Sequence, residues 1–298
     1  IADLQTKKPE EIKLKYSLGR DTDWTTKGAI DDINKNKGDI SKIAYRIFDD
    51  RWTYYTGKQN GFYCRPRGEV MRNFDKNNVA LCFTRTDKSQ RPYSMIFITN
   101  KITESCFLTT QTSGIATVVP LYISSDDMLN TTSNLKSEYY NVLTQNLQQK
   151  PTAEEVFDYC YGILYDIKYR ERYNEFLKRD YPRVPIIENK EMFDKYVEAG
   201  AKLRKLHLME TSIIKELSIE SSDNNLSIEQ VKYINGKLYI NKNTAIIGLT
   251  DEILNYYIGG YQVIDKWLKS HKGETLNYEN FNHIKKIAGI VEETIKIQ

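Results

Sequence analysis

The chain has 298 residues, 40% of them hydrophobic and 12% aromatic, with 43 Lys/Arg against 40 Asp/Glu and a net charge of +3. That composition excludes a disordered chain and is sufficient for a packed core. No run of 18 apolar residues exists, and the opening "IADLQTKKPEEIKLKY" has no apolar signal core, so neither a spanning helix nor a secretory leader is indicated and a cytoplasmic location is expected.

The first residue is Ile, not Met, which leads to the expectation of a piece of a longer parent. The stretch to about residue 40 is polar, and "WTTKGAIDDINKNKGDISKI" predicts a short helix ending near Gly38. Next come "AYRIFDDRWTYYTG", "VALCFTR", "SMIFITN", "FLTTQ" and "ATVVPLYIS". These runs are β-branched or aromatic and bounded by Gly, Asn, Asp or Pro, and they read as strands. The gaps between them are too short for crossover helices, so the sheet should be antiparallel or mixed.

After Pro151 the apolar period changes. Thr152 and Glu155 have capping-box spacing, and Val156, Cys160, Ile163 and Leu164 follow at helical intervals. A second helix is predicted over "KYRERYNEFLKRD", before the extended "YPRVPI". A third is predicted over "KEMFDKYVEAGAKLRKLHLM". "ESSDNN" reads as a loop. Asn235-Gly236, between two alternating runs, predicts a hairpin over 229–248. Two or three helices should close the chain from about Thr250. In the last, Phe281, Ile284, Ala288, Val291 and Ile295 form one apolar stripe. The fold class expected is α+β: a mixed or antiparallel β-rich subdomain (1–150) followed by a helical subdomain (151–298) carrying the hairpin.

Charge is uneven along the chain. Residues 42–101 hold twelve Lys/Arg against five Asp/Glu, a net of +7 that leaves −4 for the remainder. Such a basic stretch suits a polyanion, with a solvated basic face as the alternative. The four cysteines lack metal-type spacing and the three histidines are scattered, so no zinc site is expected and the cysteines read as reduced thiols. His207 lies beside leucines and reads as a satisfied core histidine. There is no G-x-x-x-x-G-K-[ST], no G-x-G-x-x-G, no G-x-S-x-G and no Asn-Pro-Pro-Tyr, and the doublets Asp49-Asp50 and Asp126-Asp127 read as turn or surface residues. No catalytic residue and no metal ligand is assigned.

"YRIFDDRWTYYTG" (45–57), "CRPRGEVMRNF" (64–74), "ITNKITESCFL" (98–108) and "PLYI" (120–123) resemble the C-terminal specificity region of type ISP and related type IIG restriction–modification enzymes. So do "FDYCYGILYDIKYRERYNEFLKRDYPRVPI" (157–186) and "YYIGGYQVIDKWLKSHKGETLNYENFNHIKKI" (256–287). The resemblance runs from about Arg20 to the end. It implies a target-recognition domain that reads a short sequence in double-stranded DNA. The adenine methyltransferase and endonuclease would lie upstream in the same parent chain, and S-adenosylmethionine and Mg2+ would be used there, with no cofactor in this part. The alternatives are an RNA-binding accessory module and a structural docking domain for a methyltransferase.

Under this resemblance, base-reading residues belong in the polar loops beside the recognisable blocks. The candidates are Arg85, Lys88, Gln90 and Arg91 in "TRTDKSQRPYS", and Gln111 and Thr112 in "TTQTSGIAT". The phosphate-binding candidates are Lys58, Arg65, Arg67, Arg72, Lys76 and Lys101. Arg65 and Arg67 flank a proline that limits backbone freedom. For Arg46 and Arg51 the competing reading is scaffold, pairing to Asp49 or Asp50. "RYNEFLKRDYPR" is basic enough to add phosphate contacts.

Overall fold

The computed structural model describes residues 1–74, 77–110, 114–125 and 130–298. Helices α1 (Ala2–Thr6), α2 (Pro9–Lys15) and α3 (Thr26–Lys35) come first. α3 is the helix expected before Gly38, and Thr25 caps it by accepting a hydrogen bond from Gly28 N. β1 (Asp39–Arg46) and β2 (Asp49–Tyr55) then form an antiparallel hairpin. The run "AYRIFDDRWTYYTG" is therefore the end of one strand and the whole of the next. Its turn places buried Phe48 at φ +57, and His283 Nε2 donates to the Phe48 carbonyl at 2.7 Å.

Helix α4 (Gly68–Met71) and a 3-10 turn lead to β3 (Ala80–Phe83), β4 (Ile96–Thr99) and the two-residue β5 (Ile102–Thr103), which pairs parallel to β1. β6 (Thr117–Pro120) completes an antiparallel sheet of order β4-β3-β6, and β7 (Tyr122–Ser124) pairs with β8 (Thr131–Ser133). The small antiparallel and mixed sheets agree with the sequence reading. "FLTTQ" does not: its described residues, 107–110, form no strand. Gly260 N donates to the Leu108 carbonyl, so this segment is held by a turn from the far end of the chain.

Helices α5 (Ser137–Leu147), α6 (Ala153–Tyr165), α7 (Ile167–Leu177) and α8 (Lys190–His207) follow. The Thr152–Glu155 capping box forms in full. α6 and α8 run antiparallel and pack closely, Gly162 lying against the Tyr196 carbonyl and Gly200 against that of Asp158. Asp158 also takes two hydrogen bonds from Arg204, at 2.7 and 2.9 Å.

β9 (Ser218–Ser221), β10 (Lys232–Ile234), β11 (Lys237–Tyr239) and β12 (Thr244–Ile247) make a four-stranded antiparallel sheet of order β10-β11-β12-β9. The expected hairpin is β10–β11, turning at Asn235 (φ +51) and Gly236 (φ +79), the positive-φ pair of a tight turn. The chain ends with α9 (Asp251–Leu254), the small hairpin β13 (Tyr257–Ile258) and β14 (Tyr261–Gln262), α10 (Val263–Ser270) and α11 (Tyr278–Ile297). In α11, Ile284, Ala288 and Val291 are buried, while Phe281 and Ile295 flank them.

The β4-β3-β6 sheet separates two apolar cores, because alternate residues of a strand face opposite ways. Cys82, Phe97 and Val118 join the core built with β1, β12, α10 and α11. Ile96 and Ile98, flanked by Leu81 and Phe83, join the core built with α5 to α8. Both cores draw residues from each side of residue 150. Among the described residues, no helix is long and apolar enough to cross a membrane.

Candidate nucleic-acid interface

The loop between β3 and β4 carries four of the base-reading candidates, and α7 fixes its position. Asp87 N donates to the Lys178 carbonyl at 2.9 Å, and Lys178 Nζ returns a bond to the Ser89 carbonyl at 3.1 Å. Tyr93 N donates to Asn174 Oδ1 at 2.9 Å. Within the loop, Asp87 accepts from both the backbone N and the hydroxyl of Ser89. A loop pinned in this way presents its exposed side chains in a defined direction.

Of the loop's four candidates, Arg85, Lys88 and Gln90 are exposed. Beside them, the turn and connector that follow α7 contribute the exposed Arg179 and Arg183. Arg85 and Arg183 approach Asp180 at 3.8 and 3.7 Å, and Arg179 approaches Glu175 at 3.6 Å. All three pairs are long and solvent-exposed. Such pairs contribute about 0–1 kcal/mol, so a phosphate could replace the carboxylate at small cost.

Arg91 differs from its loop neighbours. Its guanidinium lies 3.9 Å from the centre of the Tyr257 ring, and its Nη1 and Nη2 are shielded from solvent with no acceptor among the described residues. Tyr257 belongs to the β13–β14 turn, which sequence reasoning missed as part of the site. That turn ties the 84–94 loop to the segment 106–108. Gly259 N donates to the Ser94 carbonyl and Ser94 Oγ to the Gly259 carbonyl, both at 2.7 Å. Gly260 N reaches the Leu108 carbonyl and Tyr261 Oη the Cys106 carbonyl, again both at 2.7 Å. Gly259 has φ +61, and a Cβ there would overlap the Leu108 carbonyl, so the close approach requires glycine. The available signal was the "IGG" inside the block 256–287.

Hydrogen bonds continue from this clamp toward the "RPR" segment. Ala116 N donates to the Ser105 carbonyl, and Arg67 Nη1 donates to the Ala116 carbonyl at 3.0 Å. Arg67 is exposed and sits at φ +52, where it starts α4. Arg65 is also exposed and meets Asp23 at 2.8 Å. Lys58 is exposed, and Arg72 is half-buried in the 3-10 turn. The structure thus brings together Arg85, Lys88 and Gln90 on one loop, and places Arg65 and Arg67 at the far end of the hydrogen-bonded chain. Lys76, Gln111 and Thr112 lie outside the described residues, as do Asp126 and Asp127.

The other cations of residues 42–101 are partly spent inside the fold. Buried Arg46 pairs with Glu104, not with Asp49 or Asp50, because Glu104 directly follows β5 and its N donates to the Ala44 carbonyl near the end of β1. Arg51 forks onto Asp49 at 2.8 and 3.0 Å and also donates to His271 Nε2 at 3.2 Å. Lys101 meets Asp50 at 3.2 Å and Asn100 at 2.9 Å. Asp49, Asp50, His271 and His283 line a cleft of about 420 Å3 between the β1–β2 hairpin and α10–α11. His271 Nδ1 is committed to the Trp267 carbonyl and the ring stacks on Trp267. Among the described residues, no three His, Cys, Asp or Glu side chains gather as a metal ligand set.

Comparison with curated proteins finds none that matches. Several solved structures share the fold. A nuclease-deletion mutant of the Type ISP restriction-modification enzyme LlaGI, in complex with a DNA substrate mimic, matches with TM-score 0.64 and 21% identity, covering 87% of this chain and 24% of that one. A DrdV–DNA complex matches with TM-score 0.74 and 16% identity, covering 99% of this chain and 32% of the other. The ATP-dependent Type ISP restriction-modification enzyme LlaBIII bound to DNA matches with TM-score 0.68 and 17% identity, over 98% and 19%. This chain therefore spans no more than a third of the length of any of these three. The Type ISP C-terminal specificity domain matches residues 1–297, and the chain belongs to that family.

Proposed function

We propose that this chain is the target-recognition domain of a restriction–modification enzyme and binds one short sequence in double-stranded DNA. The observation that carries the reading is the loop of residues 84–94, fixed by backbone bonds to α7 with Arg85, Lys88 and Gln90 exposed beside Arg179 and Arg183. Arg and Lys can donate to guanine O6 and N7, and Gln can donate to adenine N7 while its carbonyl oxygen accepts from adenine N6, in the major groove. The two α7-side arginines supply sequence-independent phosphate contacts, as Arg65, Arg67 and Lys58 do at the other end. Family membership and the fold shared with DNA-bound enzymes support the same reading.

In this proposal the adenine methyltransferase and endonuclease belong to other parts of a cytoplasmic parent enzyme. S-adenosylmethionine and Mg2+ are used there, and no chemical step is assigned to the residues of this chain. Competition binding tests the reading against its alternatives. Duplex DNA should displace a labelled duplex better than single-stranded DNA or RNA of the same sequence. The double variant Arg179→Ala/Arg183→Ala should reduce the slope of log K against log salt by about two, since each phosphate contact contributes about 0.9. Preferential binding of RNA would favour the RNA-binding module. Absence of any nucleic-acid affinity would leave the docking domain.

A further inference from the structure

The apolar stripe of α7 runs out of the core into open solvent. Tyr169 and Leu177 are buried, but Tyr173 on the same face is exposed and Phe176 is 73% exposed. With Tyr181 they wall a groove of about 460 Å3, closed on its other side by the connector 181–185. That connector is pinned by tyrosine hydroxyls: Tyr169 Oη donates to the Arg183 carbonyl at 2.8 Å and Tyr159 Oη to the Pro185 carbonyl at 2.9 Å. The groove is a held shape with aromatic faces left open among the described residues.

Its rim is cationic on balance, with Asp180 as a carboxylate among its lining residues. Arg179 and Arg183 line it, and the Arg85 and Arg172 guanidiniums lie 5.7 Å and 5.5 Å from the Tyr181 and Tyr173 rings. Aromatic rings bordered by exposed guanidiniums match one ligand chemistry well. A nucleobase stacks on the rings while its phosphate pairs with arginine. An apolar peptide would gain nothing from the arginines, and a paired base offers no free face. We propose that this groove receives an unpaired nucleotide of the DNA whose duplex part lies on the adjacent 84–94 loop. The inference rests on the DNA-reading function proposed above and adds a second subsite to it.

The test compares two duplexes of one sequence, one perfect and one with a single-nucleotide bulge carrying 2-aminopurine. The bulged duplex should bind tenfold or more tightly than the perfect one, and its fluorescence should be quenched on binding. Phe176→Ala and Tyr173→Ala should each remove most of that preference and the quenching. Affinity for the perfect duplex should stay within about threefold, because the Tyr173 ring meets Tyr169 and Arg172, and among the described residues no ring contact joins it or Phe176 to the 84–94 loop. Phe176→Tyr should retain the preference. Equal binding of both duplexes by the unaltered chain overturns the subsite while leaving duplex reading intact. A preference that survives both alanine variants overturns it too. Failure of either duplex to bind overturns the underlying DNA-reading function along with it.

Discussion

Gly200→Ala is expected to destabilise the chain by about 3 kcal/mol or more, the upper range for forcing one extra methyl into a packed interior. Gly200 lies in α8 where that helix meets the Asp158 backbone of α6, and an added Cβ would overlap the Asp158 carbonyl oxygen. The neighbour is backbone, so no side chain can swing away. The helices would have to separate, and separation would also pull Arg204 off the carboxylate of buried Asp158. A buried carboxylate stripped of its partner adds its own desolvation penalty. Thermal unfolding should show a melting temperature lower by on the order of 5 °C. Gly162→Ala should behave in the same way, since its Cβ would meet the Tyr196 carbonyl. Gly19→Ala, with nothing within 4 Å, is the matched neutral control. Equal stability of all three variants would show that the two helices are not in this contact.

The second large effect is a loss of stability in mild acid, centred on His207. The ring is buried among Phe97, Tyr161 and Tyr165. Thr294 Oγ1 donates to the Ile290 carbonyl, so it accepts from His207 Nε2 at 3.0 Å, and Nδ1 is left to accept from Tyr161 Oη at 2.6 Å. The neutral ring has both nitrogens satisfied, and a second proton would collide with the Tyr161 donor. Burial first, and the charge of Arg170 second, push the pKa down to about 3.

With the folded pKa below the unfolded value near 6.5, the unfolded chain binds the extra proton between those limits. The stabilisation is therefore complete above about pH 6.5 and declines as the pH falls through the window. The slope approaches about 1.4 kcal/mol per pH unit. His283, whose pKa is also lowered chiefly by burial, adds to the slope with the same sign. Denaturant unfolding measured from pH 7 to pH 5, a range above most carboxylate titrations, isolates the effect. His207→Gln should flatten the curve there. An unaltered slope in that variant would contradict the assignment to His207.

What the sequence revealed was mostly local. The Thr152–Glu155 box and the Asn235-Gly236 turn each depend on a few adjacent residues, and both formed as read. α11 was legible because its stripe repeats over four turns. "FLTTQ" failed because Phe107 packs on Phe97 in the core while Leu108 and Thr109 lie against Gly259 and Gly260, with no ladder needed. Helix α5 has only two buried residues, Leu143 and Leu147, and gave too weak a stripe to be seen. β9 begins two residues before the segment read as a loop and overlaps it, its edge pairing being supplied by β12 more than twenty residues later.

The candidate site was half visible for the same reason. Cations and amides in polar loops can be read from composition, so Arg85, Lys88 and Gln90 stood out. Their fixation on α7 joins residues roughly ninety apart and left no local trace. The role of Arg46 turned on the pairing of β5 with β1, which brought in Glu104 as the partner instead of the adjacent aspartates.

The central claim is that the 84–94 loop reads bases. It is tested most directly by selecting bound duplexes from a randomised pool with the unaltered chain and with Arg85→Ala and Gln90→Ala. The account predicts one short enriched sequence. Each variant should keep most of that sequence while relaxing one position, at a cost of roughly 1–3 kcal/mol. A bound pool as random as the input, or an enriched sequence that both variants leave untouched, would contradict it.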